Sequence, residues 1–544
     1  MRNVRVLDCT LRDGGRIIDC AFPDTEILSI ARGLVDAKID IIEMGFLRDA
    51  AKVTYKSNST FFTDVNQIAP FVDRERKDVL YTAFIDYGMF DFSTLTPFDG
   101  TSIDAIRFGF TKKDYLTNKE DVIRSIGIIK EKGYLAFVQG VNSLNYSDKE
   151  ILELVEMIDE VEPYSFGIVD TYGAMYIEDV DRIYRLIDHN MQPDICINFH
   201  SHNNYQPSFA FAQEVVKLSR GSRKVIVDGT LGGMGKVAGN LNTELFVNYL
   251  VRELHYDYEM DILFDLLDDF IAPYAIEHSW GYSTPAMMAG IYKSHPNNVI
   301  YLMEKYRLDT KDIGNILSMI EPAKRQRYDY DNIERLYVEY MSNKVDDTKT
   351  IDDLRHLMEE RDVLILVPGA SLAEYRDEID RHAKENDSLV ISVNFVADDK
   401  KAWAFFGNQK RYALAKRKRC GRKIILSSNV KADEEGDTVT VNYHSLINRG
   451  YRFFDNSTMM LLNLLRRTEA KHISIAGLDG FSAAKDDNYV DASFQNIRYV
   501  QDFDALNDSL TAMLRDYAET MKGRCEISFV TPSRFSTLFE EALW

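Results

Sequence analysis

Between residues 4 and 230, short apolar runs alternate with longer stretches in which apolar residues recur every three or four positions. The runs are VRVLDCT (4–10), IDIIEMGF (39–46), VLYTAFI (79–85), AIRFGF (105–110), LAFVQGVN (135–142), YSFGIVD (164–170), ICINFHSH (195–202) and KVIVDGT (224–230). Each begins roughly 26 to 40 residues after the one before, room for one strand, one helix and two loops. The pieces between them, such as EILSIARGLVDAK, DVIRSIGIIKEKG, EILELVEMIDEVE and DVDRIYRLIDHN, carry the helical period. Eight strands alternating with helices predict an α/β fold closed as a parallel (β/α)8 TIM barrel, with an open doubly wound sheet as the alternative.

The pattern then changes twice. Residues 250–345 carry no strand period and read as helices, either a helical extension or a helical linker, and the acidic segment 343–362 suits a boundary. A second α/β pattern begins at DVLILVPGASLAEYRDEIDRH and continues through LVISVNFV (389–396), RKIILSS (422–428), TVTVNY (438–443), HISIAGLDG (472–480) and EISFVT (526–531), a Rossmann-like order. The expected organisation is a barrel over 1–250, helices over 251–350 and a Rossmann-like α/β domain over 355–544.

In a barrel the chemistry gathers where strands end. The first strand ends in Arg12-Asp13-Gly14-Gly15, the second brings Glu43 and the fourth Arg107. The sixth ends at Asp170 with Thr171 next, the seventh ends in His200-Ser201-His202-Asn203, and the eighth leads into DGTLGGMGKVAGN, closing at Asn240. Residues two apart on a strand share a side, so His200 and His202 can offer both imidazoles to one point. With Asp13 on the same rim they make a reasonable divalent-metal site, to which Asn240 could add an amide oxygen. The alternatives are hydrogen-bonded core histidines and an Arg12–Asp13 salt bridge in an exposed turn. Beside an ion, Arg12 would suit an oxyanion that develops during reaction.

Composition narrows the class. The chain has 544 residues, 45% hydrophobic and 28% charged, with a net charge of −21. That charge argues against nucleic-acid or anionic-membrane partners. The one basic run, Lys416 to Arg419 with Arg422 and Lys423, reads as a solvated helix end or, alternatively, a phosphate or lipid contact. Five scattered cysteines with no CxxC pair speak against a zinc ribbon or a disulfide scaffold. With no signal core and no membrane-length apolar run, a cytoplasmic protein is expected.

DCTLRDGG at the first strand, HSHNN at the seventh and GGMGKVAGN after the eighth resemble the DRE-TIM metallolyases, over roughly residues 1–300. That superfamily includes hydroxymethylglutaryl-CoA lyase, isopropylmalate and homocitrate synthases, and 4-hydroxy-2-oxovalerate aldolase. The resemblance implies a manganese, magnesium or zinc ion held by Asp13, His200 and His202 with Asn240 near or on it, Arg12 stabilising an enolate oxygen, and Glu43 fixing the rim. It implies pyruvate or a related 2-oxo acid and an aldehyde as substrates, and a homo-oligomer; Arg107, Asp170 and Thr171, from their places on the strands leading to this rim, are substrate-binding candidates. The tract WGYSTPAMMAGIYKSHPNNV (280–299) and the lack of an acyl-CoA signature are closer to the aldolases, whose helical extension packs at the barrel mouth. Those aldolases have a histidine, thought to be the catalytic base, where this chain has Arg16. Arginine stays protonated, so Arg16 cannot easily be that base, and it suits a carboxylate or phosphate on a substrate instead. Tyr282 is a candidate for proton transfer or simply a packed aromatic.

In the second α/β pattern, PGASL, SVNF and AGLDGF loosely resemble a bacterial sialyltransferase-like fold, which would make Gly369, Ser371, Asn394 and Asp479 nucleotide-sugar candidates. A tight strand–helix turn at Pro368 to Ser371 is the plainer reading. The expected function is a metal-dependent aldolase that makes or breaks a C–C bond through an enolate. The alternatives are a Claisen-type acyl-CoA synthase, a nucleotide-sugar transferase carried by the C-terminal domain, and a barrel that has lost catalysis.

Overall fold

The computed structural model describes residues 2–540 except 77, 221–222, 307, 309, 343–344, 360, 433–436, 483–487 and 492–501. The chain divides into two compact units: Met1–Met303 with Leu308–Asp329, and Glu304–Arg307 with Tyr330–Trp544.

The first unit is the expected barrel. Its strands are β1 (Val4–Asp8), β2 (Ile41–Leu47), β3 (Leu80–Asp86), β4 (Ala105–Thr111), β5 (Leu135–Val141), β6 (Ser165–Asp170), β7 (Cys196–Ser201) and β8 (Val225–Gly229). Each pairs in parallel with its neighbours in sequence, and β1 pairs with both β2 and β8, which closes the sheet and removes the open-sheet alternative. A two-residue strand, Phe61–Phe62, adds outside β2. It crowds Gly45, whose φ is 148° and where a Cβ would meet the Thr60 carbonyl at 2.2 Å. The β2–β3 register breaks at this point, between Glu43 and Phe46.

The helices follow from the local chemistry the sequence shows. Asp148–Val161, between β5 and β6, starts with a capping box between Ser147 and Glu150 and buries Ile151, Leu154, Val155 and Ile158. After β8, Met260–Leu266, Ala272–Glu277, Thr284–Ile291, Pro296–Tyr306 and Thr310–Met319 are helical. No helix among the described residues is long and apolar enough to cross a membrane.

The second unit contains a seven-stranded parallel sheet: β9 (Asp362–Leu366), β10 (Leu389–Val393), β11 (Trp403–Phe406), β12 (Lys423–Ser427), β13 (Asp437–Val441), β14 (His472–Ala476) and β15 (Glu526–Phe529). Their order is β13-β12-β11-β10-β9-β14-β15, so the winding reverses between β9 and β14. β11 has no counterpart among the sequence runs. It is four residues long, directly after a charged turn, and too short to show a period. The helix Ser457–Arg467 buries Thr458 through Leu465 without a break, which is why its sequence reads as a solid apolar block. Arg419, in the basic run, is not solvated: it is 1% exposed, with its guanidinium 3.5 Å from the centre of the Tyr412 ring.

Candidate metal centre

The period of two along the barrel strands builds the site in layers. Leu7, Ile41, Ala105, Phe137, Cys196 and Ile226 form one apolar cluster inside the barrel. Two residues further along five of these strands come Glu43, Arg107, Gln139, Asn198 and Asp228, all buried. Strand pleating puts each on the same side as the apolar residue below it. Arg107 joins this layer: it donates to Glu43 Oε2 at 3.0 Å, to Asn198 Oδ1 at 3.1 Å and to Asp228 Oδ2. Gln139 Nε2 donates to Asn198 Oδ1 at 2.7 Å, and Asn198 Nδ2 to Asp228 Oδ1 at 2.7 Å. Charges removed from water need such pairing. Arg107 is 1% exposed, and what it binds in this structure is protein.

One more step of two along β7 reaches His200, and the next His202. Their Nε2 atoms lie 3.8 and 3.6 Å from Asp13 Oδ2. One donor atom from each of Asp13, His200 and His202 falls within 4.8 Å of the others. His200 Nδ1 is 3.0 Å from Asp228 Oδ2. A hydrogen on that nitrogen leaves the Nε2 lone pair free for a ligand role, the carboxylate–histidine arrangement common behind bound metals. Burial pushes the His202 imidazole down to about 4, so it is neutral and able to coordinate at physiological pH. Burial alone would raise the Asp13 carboxyl, but Arg12, the two histidines and Arg16 hold it well below the usual range. Asn240 pairs with His202 in an isolated bridge, and its Nδ2 donates to the Met234 carbonyl at 3.0 Å. Its Oδ1 is buried with no hydrogen-bond partner among the described residues, an acceptor of the kind a cation would satisfy. Gly239, at φ 71°, allows this placement, since a Cβ there would meet the Gly233 carbonyl at 2.1 Å. One carboxylate, two imidazoles and an unpartnered amide oxygen fit a divalent ion with open positions.

Arg12 is 4% exposed. Its Nε donates to Glu43 Oε2 at 2.6 Å and one Nη to Asp13 Oδ1 at 2.6 Å. Its remaining Nη donates to no described protein group. Glu43 therefore fixes the guanidinium from below while one donor stays free beside the ligand cluster. Arg16 Nε also donates to Asp13 Oδ1, at 3.1 Å, with the side chain half-exposed. Both Asp170 oxygens accept backbone N–H groups, from Ala174 at 2.9 Å and Met175 at 3.1 Å, and burial raises its carboxyl to about 6. Thr171 Oγ1 accepts the Asn142 N–H at 2.9 Å. Asp170 and Thr171 thus hold loop backbone. Tyr282 is 59% exposed, next to Trp280 and Gly281, which bond to Gly232 and Val237 of the loop that carries Asn240.

Three residues at this end of the barrel do not stand out in the sequence. Asp228 has a signal, the same two-residue step along β8 that places the histidines on β7. Arg48, directly after β2, has only its position at a strand end. His295 has none; burial first, then the nearby charges of Arg16 and Lys236, push its imidazole down to about 4. Replacing Asp228 with Asn is expected to weaken Mn2+ binding about 10- to 100-fold, read by isothermal titration, because it removes the charge that orients His200. Unchanged affinity would mean that Asp228 serves only Arg107.

In the second unit, Gly369, Ser371 and Asp479 come together at the reversal between β9 and β14. Gly369 N–H donates to the Gly477 carbonyl at 3.1 Å, and Ser371 donates to Asp479 through both N–H, at 2.9 Å, and Oγ. Asn394, after β10, is occupied elsewhere, accepting the Gly407 N–H at 3.2 Å.

Together these features define a (β/α)8 barrel with three residues that could hold a metal ion and a buried arginine at the C-terminal ends of its strands. Residues 3–268 match the HMGL-like family model. The chain is 25% identical over 317 residues to a 4-hydroxy-2-oxovalerate aldolase of Moorella thermoacetica, spanning 57% of this chain and 90% of the relative. It is 26% identical over 331 residues to the protein of the same name from Carboxydothermus hydrogenoformans, spanning 57% and 90%. The solved HMG-CoA lyase of Brucella melitensis superposes with a TM-score of 0.39 at 15% identity, over 50% of this chain and 99% of that one.

Proposed function

We propose that the barrel unit is a divalent-metal-dependent aldolase that forms or cleaves a C–C bond through the enolate of pyruvate or a related 2-oxo acid. The observation that carries this reading is the convergence of Asp13, His200 and His202 beside the free Nη of Arg12. Asp13, His200 and His202, with Asn240 beside them, would hold a divalent ion, which would supply Lewis acidity toward a 2-oxo acid. Arg12, locked by Glu43 and Asp13, presents a fixed cationic donor to an oxygen that gains charge. Such donors are worth most where water is excluded and no reorganisation is needed. In the synthetic direction, carbon 3 of the 2-oxo acid loses a proton and bonds to the aldehyde carbon, and the aldehyde oxygen gains a proton. No oxidant or reductant is needed. Arg16 takes no part in moving these protons, since it stays charged.

Oxaloacetate offers a direct test, because losing its carboxylate as CO2 leaves the same enolate. Mn2+-dependent release of CO2 from oxaloacetate, lost on chelation, is the expected outcome. A metal-loaded protein that releases no CO2 above the free-ion rate contradicts the aldolase reading. A requirement for an acyl-CoA with release of free thiol would place the barrel with the Claisen-type synthases instead.

For the second unit we carry a separate reading, a nucleotide-sugar site. Its support is the meeting of Gly369, Ser371 and Asp479 where the sheet reverses direction, the place where open parallel sheets bind ligands. Titration of the full chain with UDP and CMP tests it: binding at micromolar concentration that Asp479→Ala weakens at least about tenfold is expected. No heat with either nucleotide removes this reading and leaves the barrel's untouched.

A further inference from the structure

Three guanidinium groups surround one aromatic ring at the barrel mouth. The Cζ atoms of Arg48, Arg16 and Arg12 lie 4.3, 4.7 and 5.8 Å from the centre of the Phe46 ring. Arg12 has its role in the enolate site proposed above; the other two have none there. Arg16 leans on Asp13 Oδ1, which Arg12 already holds at 2.6 Å and whose other oxygen faces both histidines. Neither Nη of Arg16 donates to a described protein group. Arg48 is 9% exposed at its side chain; one Nη donates to the Leu47 carbonyl at 3.1 Å and the other to Asp86 at 2.7 Å, a carboxylate that is 37% exposed and that an incoming anion could displace. Burial lowers the Arg48 pKa, Asp86 opposes that, and the charge of Arg16 lowers it further, so Asp86 offsets only part of the cost of keeping Arg48 charged here.

Two guanidinium groups gathered around one ring, each with a single carboxylate partner, make a place that favours a further anion. Arg16 is bonded to a member of the metal-ligand set and so lies within the length of a small molecule of the reacting carbon. Both side chains carry the planar fork that binds a carboxylate or phosphate through two parallel hydrogen bonds.

We propose that the aldehyde partner carries an anionic group, a carboxylate or a phosphate, and that Arg16 and Arg48 bind it and select for it. This rests on the aldolase reading, since it names the second substrate of that same site. Phe46 is the ring both guanidinium groups contact, and an anion held by them would direct the aldehyde carbon toward the enolate.

The test uses the full-length protein with Mn2+ and pyruvate, and compares kcat/KM for neutral aldehydes (acetaldehyde, glyceraldehyde) with carboxylated ones (glyoxylate, succinic semialdehyde) and a phosphorylated one (glyceraldehyde 3-phosphate). One anionic group is expected to lead the neutral aldehydes by at least about 100-fold, and the better of the two arms identifies which anion is bound. Arg16→Gln and Arg48→Gln should each reduce that preference about 10- to 100-fold, chiefly through KM, with Arg16→Lys recovering part of it. Equal use of neutral and anionic aldehydes, or a preference that survives both Gln variants, overturns the proposal. Exchange of the pyruvate methyl protons needs no aldehyde: if it is absent from the wild type, the aldolase reading itself has failed. If it is present alongside no anion preference, only this inference has.

Discussion

Replacing Arg12 with lysine is expected to lower Mn2+-dependent exchange of the pyruvate methyl protons by about 10²- to 10³-fold, the cost of removing one preorganised oxyanion donor. The effect follows from how the guanidinium is used. Two of its three nitrogens are committed, to Glu43 Oε2 at 2.6 Å and Asp13 Oδ1 at 2.6 Å, and the third remains for the substrate. A lysine ammonium is a point charge on a flexible stem, and it cannot hold both carboxylates while aiming a third donor. The ion itself should still bind, because the three ligand residues are intact. Exchange followed by proton NMR, with Mn2+ binding followed by electron paramagnetic resonance on the same samples, separates the two. Loss of metal together with exchange would show instead that Arg12 acts by shaping Asp13.

His202→Ala produces the second large effect, and of a different kind. On this account it removes one of three ligands, so Mn2+ affinity is expected to fall at least about 100-fold and exchange with it. The histidine is neutral with its pKa near 4, so no charge is lost from the metal-free protein and folding should be preserved. Circular dichroism checks that point, and a folded variant that still binds Mn2+ tightly would remove His202 from the ligand set.

These expectations grow from a sequence in which the barrel is unusually plain. Its eight strands lie within two or three residues of the apolar runs, because parallel strands buried on both faces write themselves as continuous apolar blocks. The short β11 is invisible for the opposite reason, having four residues and no room for a pattern. Asp13, His200 and His202 group together on sequence grounds alone, because strand period and barrel topology suffice to bring them to one rim. Arg107 shows the limit of that reasoning. Its position on β4 is legible, but whether it faces substrate or a carboxylate depends on which side chains meet it from β2, β7 and β8. Asp228 is equally within reach of the two-residue period, though only its 3.0 Å contact with His200 gives it a role. Arg48 and His295 depend on packing between distant segments, which no local pattern encodes.

The most direct test of the central claim is exchange of the pyruvate methyl protons with deuterium, followed by NMR, in wild-type protein with and without Mn2+ and in His200→Ala. Exchange that requires both the ion and His200 is the expected result, and it would establish that this rim enolises a 2-oxo acid. Wild-type protein that binds Mn2+ yet exchanges no faster than the free ion would contradict the account.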